Sequence, residues 1–178
     1  MPNSAKTTGP MIDQVDRSLS QWMAFQPELD VSAMDVFGRV HRIYLRYRTE
    51  LAKVFNEFDI NAASFGVLAA LYRSGPPFRL SVSTLAHETL VSSGGMTMRL
   101  DRLEEAELIT RERSCDDRRA VYAQLTAAGQ DCAQRAAEAH FRNESKLLHL
   151  LDKAEHKQLT ALLRLLEQSI DTVDDASA

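Results

Sequence analysis

Two aspartates and two arginines stand together in the stretch Ser114-Cys115-Asp116-Asp117-Arg118-Arg119, between two β-prone runs, Ile109 to Arg113 and Ala120 to Leu125. The pattern reads as a β-hairpin with a charged tip. Two guanidiniums at such a tip do not suit a hydrophobic core. They suit a groove lined with phosphate. Asp117 and Arg119 are two residues apart and share a side of a regular strand, so the carboxylate can orient the guanidinium. An arginine held this way fits a narrow, strongly negative minor groove. Arg118 is then a phosphate contact. For Arg111 and Arg113, phosphate contact and plain surface charge weigh equally.

A second constellation precedes the hairpin: Ser92-Ser93-Gly94-Gly95-Met96-Thr97-Met98-Arg99-Leu100-Asp101-Arg102. Ser92, Ser93, Gly94, Gly95 and Thr97 are small. At a helix start they let the N-terminus approach base edges and phosphates, where its exposed N–H groups favour anions. Arg99, one turn on, reaches a guanine edge or a phosphate. Met96, Leu100 and Leu103 mark the buried side of this helix. Met96 and Arg102 are counted with the residues that contact DNA. The plainer reading, a loop before a surface helix, is disfavoured by the adjoining hairpin.

Elements that could position these groups follow from periodicity and caps. Asp13 to Phe25 reads as a short helix stopped by Pro27. From Ser32 to Phe58, Phe37, Val40, Tyr44, Tyr47, Leu51, Val54 and Phe58 form a seam with the three–four spacing of one helix face. Ala62 to Tyr72 reads as a helix ended by Ser74-Gly75-Pro76-Pro77. Phe78-Arg79-Leu80 reads as a short strand, and Ser81 caps a helix through Leu90. Thr126 caps a long helix to about Leu151, and a last helix runs from Ala154 to Ile170. The order helix, turn, helix, two-stranded wing is that of a winged helix-turn-helix.

The fold class expected is therefore mainly α with a small β-wing. A disordered N-terminus (1–12) precedes an extra helix (13–30). Residues 31–60 and 126–172 form a helical dimerisation region around a DNA-binding domain (61–125), and 173–178 is a disordered tail. The Leu-rich flanks exceed what one small domain needs to cover itself, so a homodimer is favoured over intramolecular packing.

The chain has 178 residues, 44% of them apolar, with only 7 Gly and 5 Pro, as a helical protein should. A net charge of −4 argues against an indiscriminate nucleic-acid coat. From Pro76 to Gly129 seven arginines face eight carboxylates. Any DNA affinity must come from placement, because attraction is screened within about 8 Å at physiological salt. No apolar run spans a bilayer, and MPNSAKTTGPMIDQ lacks a secretory pattern. Cys115 and Cys132 form no disulfide framework, so a cytoplasmic location is expected. No Gly-rich phosphate loop, HExxH or nucleophile elbow is present, and the five histidines are scattered. No catalytic residue, cofactor or metal is expected.

The segment DDRRAVYAQLTAAG resembles the wing signature of the MarR family, Asp-x-Arg followed by a strand and Leu-Thr-x-x-Gly. SSGGMTMRLDRLEEAELITR resembles that family's recognition helix and following strand. The resemblance covers about Ser32 to Ile170. It implies a homodimeric winged helix-turn-helix regulator of transcription, often a repressor released by a small ligand. Asp117 and Arg119 take the wing-tip role, and Ser93 to Thr97 with Arg99 fall where the family reads the major groove. An extra N-terminal helix bearing Trp22 is similar to the urate-responsive branch, and Trp22 and Arg99 match residues tied to that branch's response. Gly66 stands where the branch has an acidic residue, so the ligand class implied is the broader one of aromatic carboxylates and phenols.

Candidate ligand contacts are Trp22, His41, Tyr44, Arg46, Arg48 and Arg99. Against them stand a core place on the seam for Tyr44, an anchoring role for Trp22 and simple solvation for the rest. The expected partners are double-stranded operator DNA, a second copy of the chain and a small aromatic effector, with no membrane. Two alternatives remain: a redox-responsive regulator acting through Cys115, and a winged-helix protein–protein module that does not bind DNA.

Overall fold

A computed structural model describes residues 12–89, 93–113 and 120–175. Its elements, in order, are α1 (Gln14–Phe25), α2 (Met34–Asn56), α3 (Ala62–Arg73), β1 (Arg79–Ser81), α4 (Val82–Glu88), α5 (Ser93–Glu105), β2 (Ile109–Arg113), β3 (Val121–Leu125), α6 (Ala127–Leu147) and α7 (Lys153–Asp175). They make the winged helix-turn-helix arrangement read from the sequence. Two units divide the chain, residues 1–50 and 51–178.

In the first unit, Asp13 caps α1. Its Oδ1 accepts from the N–H groups of Val15 (2.7 Å) and Asp16 (3.0 Å), and Asp16 Oδ2 accepts from Asp13 N–H in return. This reciprocal box satisfies donors that a helix start otherwise leaves unpaired. Arg39 of α2 reaches both carboxylates, Asp13 at 3.2 Å and Asp16 at 2.7 Å, and also pairs with Asp35. Gly38 beside it admits the buried Val15, since a Cβ there would meet Val15 Cγ1 at 3.0 Å. A close crossing and one three-carboxylate arginine thus fasten α1 to α2.

The second unit holds the core. Phe55, Phe65, Leu68, Leu71, Leu85, Met96, Leu100, Leu103, Ile109 and Leu125 are buried together. Ala133 and Ala136 are buried on α6, and small side chains there let α3 and α6 pack closely. Phe55 and Phe65 stack with ring centroids 4.5 Å apart, and the His140 ring lies against both. Asn61 caps α3, Ser81 caps α4 and Thr126 caps α6, each accepting from the N–H three residues on.

Several expected features take a different form. The wing is part of a three-stranded antiparallel sheet in the order β1-β3-β2, with Arg79 opposite Gln124 and Ile109 opposite Leu125. The seam on α2 is covered only towards its C-terminal end, where Leu51 and Val54 pack on the core, and Phe58, in the turn that follows, packs there too. Phe37 and Tyr44 are about half exposed, at 49% and 53%. Tyr44 is thus a surface residue, and the Arg48 guanidinium lies 5.5 Å over its ring. Between the last two helices, Asp152 caps the start of α7. Its Oδ1 accepts from Ala154 and Glu155 N–H, and its own N–H donates to Glu155. This start carries α7 to Asp175, beyond the expected end at Ile170.

Candidate nucleic-acid interface

The register of α5 decides which side chains face outward. Met96, Leu100 and Leu103 are at most 1% exposed, because positions i, i+4 and i+7 share the inward face. Thr97 and Met98 are turned out and exposed. Gly94, in the first turn, is also exposed, and no atom of the described residues lies within 4 Å of where its Cβ would be. Gly95 is half-buried, and Ser93 is the first residue of the helix. Met96 is therefore removed from the contacting set, since its side chain is spent inside the core.

Arg99 is half-buried and makes no ion pair among the described residues. Arg102 lies nine residues beyond the start of α5, about 13 Å along the axis. It lines a groove of about 500 Å³ with Asn56, Asp59, Asn61 and Ser64, and so serves the far end of the helix rather than its start. Ser92, Cys115, Asp117, Arg118 and Arg119 lie outside the described residues.

At the wing base Arg111 has a role that sequence reasoning missed. Its Nε donates to Glu104 Oε2 at 2.8 Å and its Nη1 reaches Asp101 Oδ1 at 2.7 Å. Both carboxylates belong to α5. The backbone N–H of Arg111 also donates to Glu104 Oε1 at 3.2 Å. The hydrogen-bonded Arg111 guanidinium holds the Glu104 carboxyl below its ordinary range. The pair's contribution is accordingly present above the ordinary glutamate value and is lost as pH falls through the lowered one. Asp101 and Glu104 are i, i+3 on α5, a spacing that could have flagged them. Only the packing of α5 on β2 shows what they hold. Arg113, at the end of β2, is exposed and forms no ion pair among the described residues.

On the sheet's other face the Arg79 guanidinium lies 4.1 Å over the Tyr122 ring and approaches Glu112 at 3.8 Å. Of the ligand candidates, Trp22 is partly exposed beside Ser18, Gln21, Phe25 and Met34 around a hollow of about 410 Å³. His41, Arg46 and Arg48 are exposed on α2. Arg99 belongs to the second unit. Burial pushes the Cys132 thiol up, which leaves it protonated and unreactive at neutral pH. Among the described residues no cluster of His, Cys, Asp or Glu could hold a metal, and no helix is long and apolar enough to cross a membrane.

A capped helix-turn-helix with an outward-facing, small-residue helix start, followed by a sheet-borne wing, defines a winged helix-turn-helix protein of the kind that reads DNA. Residues 58–120 match the model of the MarR family. The transcriptional regulator PecS of Dickeya dadantii is 35% identical over 88% of this chain and 95% of its own length. The chain belongs to the MarR family, and its relatives there are regulators of transcription rather than enzymes. Among solved structures, Sco3205 of Streptomyces coelicolor in complex with DNA superposes with a TM-score of 0.71 at 20% identity, over 80% of this chain and 93% of that one. BpsR of Bordetella bronchiseptica, whose DNA binding is regulated by 6-hydroxynicotinic acid, gives 0.65 at 22% identity, over 75% and 98%.

Proposed function

We propose that the protein is a homodimeric repressor that binds a pseudo-palindromic operator and is released by a small aromatic carboxylate or phenol. The observation that carries the DNA reading is the split of α5, with Met96, Leu100 and Leu103 buried and Gly94, Thr97 and Met98 facing out. Each recognition helix enters a major groove and each wing a flanking minor groove, with half-sites about 10 bp apart. Supporting the dimer, α2 exposes Val36, Phe37, Val40 and Ile43, and α7 exposes Leu159, Leu162, Leu163 and Ile170. Apolar side chains left open together along a helix mark partner surfaces. For the effector, Trp22 offers an exposed aromatic face beside a hollow, and BpsR answers to a hydroxylated aromatic acid. The effector acts by changing the spacing of the two recognition helices, with a coupling typically ~1–3 kcal/mol. The cytoplasm is the compartment this function requires.

Binding to the DNA upstream of the protein's own gene tests the reading. Sequence-dependent affinity in the range of roughly 10⁻⁸–10⁻¹¹ M is expected. Gly94→Leu is informative because Gly94 is exposed and a Cβ there would have no atom of the described residues within 4 Å. It should leave the melting temperature unchanged or raise it, since glycine is a poor helix former by about 1 kcal/mol. Operator affinity should nevertheless fall about tenfold or more, as for other disrupted base contacts. Arg119→Ala should weaken operator binding strongly and reduce the salt slope by about one unit. Wild-type operator affinity in both variants would remove the assigned surface.

A further inference from the structure

We propose that Arg111 is a positioning residue that locks the wing to the recognition helix, not a phosphate contact; this rests on the DNA-reading function above. A guanidinium offers five donors in a fixed fork, and here the fork is engaged. Nε and Nη2 bind Glu104 Oε2 while Nη1 binds Asp101 Oδ1. Two carboxylates on one cation leave a local charge of one sign, and it is negative. Such a group repels phosphate. The backbone is held as well as the side chain, because Arg111 N–H donates to Glu104 Oε1.

The next residue completes the grip. Successive strand residues point to opposite faces, so Glu112 lies on the far side of the sheet. There it meets Arg79, whose guanidinium is stacked on Tyr122 of β3. One face of the wing base is tied to α5 and the other to β1, which leads directly into α4. Any play at Arg111 is therefore passed to β2 and to its partner strand β3, which pair from Ile109 to Arg113. A major-groove helix and a minor-groove arginine discriminate together only at a fixed separation, and Arg111 sets that separation within one protomer.

Glu104→Gln separates the two roles, because the amide keeps the shape and an oxygen for the Arg111 N–H. It also removes a negative charge beside the DNA and frees an arginine. If Arg111 were a restrained phosphate contact, operator affinity would rise and the salt slope would steepen by about one unit. With Arg111 as the tie, non-specific affinity is kept while the ratio of operator to scrambled-sequence affinity falls about fivefold, the scale of one lost ion-pair contact. Arg111→Lys keeps the charge but loses the fork, and should lower the ratio in the same way. Amide exchange of residues 110–113, measured without DNA, should quicken in both variants. An undiminished ratio, or unchanged exchange, would overturn the proposal. Should the wild-type protein discriminate no operator sequence, the DNA reading itself falls, and the tie is then decided by amide exchange alone.

Discussion

Replacing Gly129 by alanine is expected to cost at least about 3 kcal/mol of stability, at the upper end of what overpacking does in a core. The reason is a single contact. A Cβ on Gly129 would lie 1.9 Å from the carbonyl oxygen of Leu108 and 2.9 Å from its carbon. Both atoms are backbone, so no rotamer change relieves the overlap. The carbonyl is also in use, accepting from Thr126 N–H at 3.1 Å. One residue earlier, the Glu107 carbonyl accepts from the Thr126 hydroxyl at 2.7 Å, and the same hydroxyl accepts from Gly129 N–H at 2.9 Å. The turn between α5 and β2 is thus sewn to the first turn of α6, and only hydrogen fits in the seam. Alanine would lift α6 from the sheet or break these bonds. Against a total stability of typically 5–15 kcal/mol, the variant should melt many degrees lower in a thermal denaturation scan. A melting temperature within a degree or two of wild type would show that the turn can retreat.

Gly66 gives the opposite sign and serves as a control on the argument. A Cβ there would meet only Thr89 Cγ2, at 3.9 Å, an ordinary contact. The two glycines look alike in the sequence, and what separates them is a carbonyl 21 residues upstream of Gly129.

That contrast shows what kind of information the sequence carries. Helix starts are legible at Asp13, Ser81 and Thr126, because a cap bonds within three residues of itself. The two wing strands are legible for a similar reason, since each is a β-prone run bounded by charged, turn-forming residues next to it in the sequence. The third strand is legible as a strand at Phe78-Arg79-Leu80, but its place in the sheet is not, because β1 pairs with Gln124, Ala123 and Tyr122, more than forty residues away. Periodicity on α2 identifies an apolar face without saying what covers it. The same three–four spacing describes Leu51 and Val54 on the core and Phe37 and Val40 in the open. On α5 the period was enough to place Met96 inward with Leu100 and Leu103, and it should have kept Met96 out of the contacting set. Arg111 could not be resolved from its neighbours in the chain. Whether an arginine faces phosphate or carboxylate depends on which helix packs beside its strand.

The open apolar faces lead to the second large effect. With the proposed homodimer built on α7, Leu163→Glu is expected to give a monomer and to reduce operator affinity by at least about 100-fold. Leu159, Leu162, Leu163, Leu166 and Ile170 form one stripe on α7 at helical spacing. Leu163 is 48% exposed and is not among the residues packed on the core. A charge at this position meets water in the isolated protomer and costs its fold little. In a dimer interface the same charge would be buried without a partner, which is strongly unfavourable. The loss of affinity follows from linkage rather than from any altered DNA contact. Two half-sites engaged through one body gain 10²–10⁴ in avidity over a single engagement, and a monomer forfeits that factor. Sedimentation should report a halved mass, circular dichroism an unchanged helix content, and binding to an isolated half-site an unchanged affinity. Arg164→Ala, one residue along and exposed, should alter none of these. A Leu163→Glu protein that remains dimeric with wild-type operator affinity would place the dimer interface elsewhere than on α7.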